Sequence, residues 1–540
     1  MLRLRFWQEC SLLSRVLIAF TAVLLLLISV YQLDRIRLRH NLNTYREELK
    51  KQGVKFTLKE IWPEPPTEAA IAGYQLFKDC QSLKTVDLIS FHRVEPNRPR
   101  QAFSPYTHHQ YVRLCLLPDT AYDWQQLRDV ISSNKVSLEK IRTALKNTNL
   151  AFSPPQTTYS NLSFTIYQEW RLLCNAIEQF KGSVFLHLHQ KEFTQAQSEA
   201  LNLLLLYKLS SKLPTSPYIQ HSLTPTACGI WELLQFDVWT DAQLSEIQTI
   251  LESIDYYTPT KLYFKLNKVQ TAPLIQDGKA NFPFPDSITP QSNSEQIISI
   301  IKRPFDFDHF EKFLDRYPRY WDWCWRKSFK TELLCLQNSQ FWIHVVEESQ
   351  TNPPLAKLYQ ESSERFYSME NKLYRKDSIF AYFVTTPASV NYIEHIFVSE
   401  IIRKLTITAV ALKRYHQKNG NYPESLSELV PTYLPNTPTD PMDQKPFRYH
   451  KNSDDTYSLY SISLNGTDDK GSLSFLSMSP FKYNCASLHD DIPWPQAATP
   501  EETQTETIMM EKRQIQWEKL QKESAQQLLE IQKKLLQQTN

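Results

Sequence analysis

The hydrophobic positions of this chain follow two patterns. Residues 16–33 form a continuous run without a charged side chain, bounded by Arg15 and Asp34. As an α-helix this run is about 27 Å long, which is sufficient to cross the hydrocarbon core of a bilayer. Beyond it, apolar residues recur at helical spacing over most of the chain. The pattern therefore predicts one membrane helix followed by a mainly α-helical body.

The first apolar run has two interpretations. A cleavable signal peptide needs small residues at its cleavage site, and residues 29–32 (SVYQ) do not supply them. We therefore interpret residues 16–33 as an uncleaved anchor embedded in the lipid bilayer. The short basic tail at residues 1–15 favours export of the rest of the chain, whereas the larger number of Lys and Arg residues after the span favours the opposite orientation. We predict export.

The body divides into segments by its pattern. Residues 34–66 form a charged connector, and residues 67–270 show apolar stripes separated by short loops, which predicts α-hairpins. The stretch 182–209 has the size of one tetratricopeptide-like helix-turn-helix unit, without a second copy at a fixed period. Residues 271–293 are rich in Pro, Asn, Gln and Ser and predict a loop, and residues 294–388 predict a second helical block. The stripes of the first block are Trp124, Leu127 and Ile131; Leu138, Ile141 and Leu145; Tyr167, Trp170, Cys174 and Ile177; Ala196, Ala200, Leu203 and Tyr207; Trp231, Leu234 and Val238; Leu244, Ile247, Leu251 and Ile254.

The end of the chain, residues 497–540, is rich in Gln, Glu and Lys. Its apolar residues form a narrow helical stripe: Trp517, Leu520, Leu528, Ile531 and Leu535. This pattern predicts a solvated helix, either a short coiled coil or a helix that binds a partner. A disordered tail is the alternative interpretation.

Composition argues against several classes of function. Only 8 of the 540 residues are glycine, and no GxGxxG or GxxxxGK[ST] arrangement occurs. Phosphate-binding loops need clustered glycines because backbone N–H groups must approach the ligand, so nucleotide binding is not expected. A net charge of +2 gives no reason to expect nucleic acid binding. The 8 cysteines include no CxxC pair, and a zinc ribbon or a thioredoxin-like site is therefore not expected.

The pattern changes in residues 389–496. Apolar residues first predict a helix of about 30 residues, which should end at Asn419-Gly420 because glycine accepts a left-handed backbone. Ser425 and Glu428 then fit a capping box at the start of a short helix. After a proline-rich loop, residues 446–450 and 456–463 predict two strands of a hairpin. This α+β segment differs from everything before it, and we expect it to fold independently of the helical block.

Three stretches of this segment carry a resemblance: ALKRYHQKNGNYPESLSELVPTYLPNTPTDPMDQKPFRY, then YSLYSISLNGTDDKG, then DDIPW. In order and spacing they resemble the globular head of the major pseudopilin of type II secretion systems. The whole layout is similar to an uncharacterised class of bacterial membrane-anchored proteins. The resemblance implies a small α+β head outside the cytoplasm and an anchor in the bacterial inner membrane. The start of the chain departs from pseudopilins, because it lacks the leader, the cleaved glycine and the Phe-Thr-Leu-x-Glu that follow in that family.

The resemblance also implies a calcium site. In major pseudopilins the loop after the hairpin binds calcium through an Asp before a glycine and a later Asp-x-Asp-Ile segment. By position, Asn465 stands before the glycine, and Asp490 and Asp491 stand in the later segment. Asp468 and Asp469 could restore the charge that Asn465 lacks, since calcium accepts six to eight oxygens in loose geometry. A solvated acidic loop is the alternative.

Catalytic motifs such as HExxH and GxSxG do not occur. His187 and His189 lie two apart in a predicted helix, so they point about 200° apart and cannot share a metal. Three hypotheses remain. The first is a non-catalytic envelope scaffold or adaptor. The second is an accessory component of a type II secretion or pilus-like system, and the third is an enzyme with an unrecognised site in the helical middle.

Overall fold

A computed structural model gives the fold of most of the chain. It describes residues 12–84, 92–93, 110–147, 150–154, 162–214, 220–280, 328–351, 353–374, 388–471, 491–505, 507–508 and 511–512. Thirteen α-helices and a few short strands lie within these residues, which confirms the predicted mainly α-helical fold.

The helices follow each other in chain order with short strands between them. The helices of the first half are α1 (Leu12–Lys51), α2 (Leu58–Ile61), α3 (Thr67–Gln81), α4 (Trp124–Ser133), α5 (Lys135–Leu145), α6 (Leu162–His189) and α7 (Phe193–Ser210). The helices of the second half are α8 (Gln220–Leu234), α9 (Asp241–Glu252), α10 (Tyr257–Ala280), α11 (Ser328–Ser349), α12 (Leu355–Tyr374) and α13 (Ala388–Asn419). The strands are β1 (His92–Arg93), β2 (Gln110–Val112), β3 (Arg448–Lys451), β4 (Tyr457–Ser461), β5 (Ile492–Pro493) and β6 (Gln496–Ala497).

Helix α1 is longer than the predicted anchor. Its apolar part is exposed along its length, and by length and composition it can cross a membrane. The helix then continues to Lys51 without a break, because no proline or glycine precedes Gly53. Its last part packs against α11, with Leu42 and Leu49 buried and an ion pair between Arg46 and Glu332. The first half of the predicted connector is therefore a helical stalk.

Helices α3 to α9 pack around the α6–α7 hairpin. The predicted apolar stripes face this core, and Trp124, Trp170 and Trp231 are buried in it. Val238 is the exception, since it is 46 % exposed. Helix α8 ends at Leu234, so helical spacing no longer applies at Val238, and the following Trp239 enters the core instead.

Helix α13 enters the same core. It packs against α8, α9 and α12, and its apolar residues join one continuous cluster that extends from Leu76 to Trp494. Strand β6 pairs in parallel with β2, and the indole N–H of Trp231 donates to the carbonyl oxygen of Pro495 at 2.8 Å. The middle helices thus cover part of the apolar surface of α13, and independent folding of residues 389–496 stays a prediction.

Several local features predicted for residues 389–496 are close to those observed in the described part of this segment. Helix α13 ends at Asn419, and Gly420 follows with a φ of 75°. The predicted short helix is a 3-10 turn, Leu426–Leu429, with the Ser425/Glu428 capping box. Strands β3 and β4 form an antiparallel hairpin, and β5 adds to β4.

The structure describes only part of three predicted segments, namely the loop at residues 271–293, the second helical block and the C-terminal tail. Residues 271–280 of the predicted loop belong to α10, where Thr271 is buried beside α11. Residues 281–327, with the start of the second helical block, lie outside the described residues. The chain is helical at 500–505, and residues 513–540 of the predicted tail also lie outside the described residues.

Candidate functional site

The predicted calcium loop follows β4. Asp468 accepts hydrogen bonds from the Tyr460 hydroxyl at 3.1 Å and from Arg448 Nε at 3.4 Å. The Asn465 amide donates to Asp469 Oδ2 at 3.1 Å. Protein groups thus already occupy oxygens that a calcium ion would need.

Asp491, directly before β5, contacts the described part of this loop. One carboxylate oxygen accepts the backbone N–H of Gly471 at 2.7 Å, and the other is buried and has no hydrogen-bond partner among the described residues. Burial raises the pKa of Asp491 to about 7, and the nearby Asp468 and Asp469 act in the same direction. The structure brings these three carboxylates close to one another, while Asp490 lies outside the described residues. Within the described ranges, no group of three or more His, Cys, Asp or Glu side chains is arranged to hold a metal ion. The calcium site stays a prediction.

A second carboxylate, Asp440, holds the same segment together. It is fully buried and accepts hydrogen bonds from the Ser461 hydroxyl at 2.8 Å and from the backbone N–H of Ile462 at 3.0 Å. Arg448 lies 3.5 Å away and binds Asp443 at 2.8 Å. Burial raises the pKa of Asp440. Asp440 therefore fixes the proline loop to the end of β4, which is a structural role.

A polar pocket of about 710 Å³ lies where the end of α13 meets the start of α9. Its lining includes Asp241, Arg414, His416, Lys418 and Tyr433. Arg414 binds Asp241 with two parallel hydrogen bonds of 2.7 and 3.0 Å, and these bonds lower the pKa of Asp241. The Arg414 guanidinium also lies 5.3 Å from the centre of the Tyr433 ring.

The charges of this pocket are largely satisfied within the protein. Lys413 is ion-paired with Asp237 at 2.5 Å, and His416 contacts Asp455 at 2.9 Å. Arg414 also donates to Gln248 Oε1 at 3.1 Å. The bonds of Lys413 and Arg414 connect α13 to the helical middle. Sequence reasoning missed this pocket, although the pair Lys413-Arg414 at the end of an apolar stripe was a usable signal.

A shallow groove of about 820 Å³ lies between α3 and α5. Its apolar floor includes Ala72 and Val136, and Val136 is 70 % exposed. Lys135 and Lys140 stand at its rim, and neither is ion-paired within the described part of the chain. The groove thus combines exposed apolar surface with positive charge.

An enzyme could use cysteine thiols or histidine side chains for catalysis, but the surroundings of these groups in the structure do not favour that role. Burial raises the pKa of the described cysteines, including Cys115, whose thiol donates to the buried Glu232. A protonated, buried thiol is a poor nucleophile. His187 contacts Glu192 at 2.7 Å, whereas His189 contacts the carbonyl oxygen of Cys115 at 3.0 Å. The two histidines have different partners, as their spacing predicted.

Comparison of the chain with protein-family models, with curated proteins and with solved structures gave no match. The site must therefore be interpreted from its own geometry. That geometry consists of a continuous stalk, a satisfied polar pocket and an open groove.

Proposed function

We propose that this protein is a non-catalytic scaffold or adaptor of the bacterial envelope, anchored in the inner membrane with its body on the exported side. The resemblance of residues 389–496 to a pseudopilin head supports the envelope location. The apolar run at residues 16–33 supports the single-pass anchor.

The observation that carries the proposal is the continuity of α1. One helix passes from exposed apolar surface to a packed contact with α11, where Leu42 and Leu49 are buried. The part after Leu33 is about 27 Å long at 1.5 Å per residue, so it would hold the body at a set distance from the bilayer. Removal of a signal sequence would cut this connection, whereas an uncleaved anchor preserves it.

The chemistry of the described interior also favours a scaffold over an enzyme. The thiols and the carboxylate of Glu232 lie inside the core rather than in either cavity. In the polar pocket, Arg414 and His416 are already bound to carboxylates. An enzyme would need a reactive group that faces an accessible cavity.

A topology experiment tests the anchor and its orientation. Alkaline phosphatase fused after Asn540 should be active, because this reporter folds only outside the cytoplasm, and a cytoplasmic reporter at the same position should be inactive. An N-terminal epitope tag should remain on the full-length membrane-bound chain. The reversed reporter pattern would contradict export, and loss of the tag from the mature chain would contradict the anchor.

A crosslinking experiment tests the scaffold role. A photo-reactive residue at Val136, in the groove, should give a discrete adduct with one partner in living cells. The same residue at Glu246, which is exposed on α9 outside both cavities, should not. Equal adduct patterns from both positions, or adducts from neither Val136 nor Lys418 in the pocket, would contradict a partner-binding scaffold.

An accessory role in a type II secretion or pilus-like system is the second candidate. The order of long helix, capped turn and hairpin in residues 389–496 favours it. Because α8 and α9 cover α13, contact with such a system would involve exposed loops rather than helix packing. A crosslinked partner that belongs to a secretion system would favour this candidate over the general scaffold.

A further inference from the structure

The part of α1 that directly follows the apolar run is rich in cations. Arg35, Arg37, Arg39 and His40 lie within seven residues of Leu33, and Asp34 is the only acidic residue between positions 16 and 46. Arg37, Arg39 and His40 are exposed. With three arginines against the single Asp34, this short stretch carries a net positive charge at neutral pH.

The arginines of this stretch differ from the basic residues further along the helix. Arg46 is ion-paired with Glu332, and Lys50 with Glu47 at 2.8 Å. Within the described ranges, Arg37 and Arg39 form no ion pair. Their guanidinium groups are therefore available to an external anion.

Their position along the helix indicates which anion they would meet. At 1.5 Å per residue, the backbone of Arg37 lies about 6 Å beyond Leu33 and that of Arg39 about 9 Å beyond it. The headgroup layer of a bilayer leaflet is about 5–8 Å thick. Arginine side chains reach several ångströms back toward the membrane surface, which places both guanidinium groups at the depth of the lipid phosphates. Lys50, about 26 Å beyond Leu33, lies well outside this layer.

Their angular positions are also informative. Residues two apart on a helix point about 200° apart, so Arg37 and Arg39 project from opposite sides of α1. They surround the helix rather than form one patch. Each arginine can bind a different lipid. Lipid contacts on two sides of the helix at one depth fix the position of the helix along the membrane normal.

We propose that Arg37 and Arg39, with His40 beside them, form a binding site for the headgroups of anionic phospholipids. This inference rests on the proposed membrane anchor. A guanidinium binds a phosphate with two parallel hydrogen bonds, and phosphatidylglycerol, unlike phosphatidylcholine, carries no ammonium group to compete for that phosphate. The site sets the depth of the stalk and thereby the height of the body above the membrane.

The test uses the full chain in phosphatidylcholine vesicles that contain a trace of spin-labelled lipid. Electron paramagnetic resonance then measures the fraction of labelled lipid that the protein immobilises. Spin-labelled phosphatidylglycerol should associate about fivefold more strongly than spin-labelled phosphatidylcholine, since each basic residue at the surface contributes an effect of about this size. The preference should decrease at high salt because screening weakens it.

Two charge-matched variants locate the site. The Arg37→Gln/Arg39→Gln variant should lose most of the preference, whereas the Lys50→Gln/Lys51→Gln variant should retain it. Equal association of both lipids with the wild-type chain would overturn the proposal, as would equal losses in the two variants. Vesicle flotation distinguishes failure of the headgroup site from failure of the membrane anchor. A chain that floats with the vesicles but shows no preference contradicts only the headgroup site, and a chain that does not float contradicts the anchor as well.

Discussion

The buried ion pair between Glu400 and Arg403 offers a sharp test of how α13 is packed. Arg403 donates to Glu400 at 2.6 and 2.8 Å, and its third nitrogen donates to the carbonyl oxygen of Leu251 at 3.1 Å. The two side chains are only 13 % and 8 % exposed. The pair therefore lies between α13 and the end of α9 and is largely shielded from water.

Removal of one partner should be strongly destabilising. In the Arg403→Met variant, Glu400 would remain as an unpaired buried carboxylate, which costs about 3–5 kcal/mol. That is a large part of the roughly 5–15 kcal/mol that stabilises a typical domain. In the Glu400→Met/Arg403→Met variant no charge remains buried, so its free energy of unfolding should return to within about 1–2 kcal/mol of the wild-type value.

Urea unfolding of the full chain in detergent, followed by circular dichroism and tryptophan fluorescence, measures these differences. Hydrogen exchange should increase in both α9 and α13 in the single variant, because Arg403 connects them. A matched control is Lys357→Met, which removes an exposed pair with Glu361 at 3.8 Å and should cost less than about 0.5 kcal/mol. A cost below about 1 kcal/mol for Arg403→Met, or no recovery in the double variant, would refute the buried coupling.

Three further predictions concern other parts of the chain. Gly73→Ala should destabilise the protein by about 1–3 kcal/mol in thermal unfolding, although alanine favours helices, because the new methyl group would meet the carbonyl oxygen of Ala151; a stabilised variant would show that this contact is absent. The contribution of Asp491 to stability should decrease as pH rises from about 4 to about 7, because its folded-state pKa is raised and the folded state binds the proton more tightly. Without calcium, Asp491→Asn should therefore reduce this pH dependence, and an unchanged slope would contradict the raised pKa. Millimolar calcium should raise the melting temperature of the wild-type chain more than magnesium does. An equal calcium-dependent shift in the Asp491→Asn variant would show that Asp491 is not a calcium ligand.

Local signals in the sequence were sufficient for much of the secondary structure. The end of α13 at Gly420 and the capping box at Ser425 and Glu428 depend on backbone chemistry within a few residues. The apolar stripes of α4 to α9 recur at the helical period, because any helix with one buried face has apolar residues at that spacing. Such features are visible without knowledge of the partner that covers them.

Other features could not be derived in this way. The charge of residues 34–51 suggested a connector, and only its packing against α11 shows it to be part of one continuous stalk. Glu400 and Arg403 have the spacing of a solvated surface pair, yet they are buried. The polar pocket at Arg414 joins residues about 170 positions apart in the chain.

By itself, therefore, the sequence determined the long apolar helix near the N-terminus, the helical character of the body and the turns that depend on neighbouring residues. Only the tertiary structure decided that α13 belongs to the same core as the middle helices, and that charged pairs on it are buried. The physical reason is that hydrophobic periodicity indicates that one face of a helix is buried but does not identify the residues that pack against that face. The covering surface comes from distant parts of the chain, and so do the ion pairs and cavities that form where those parts meet.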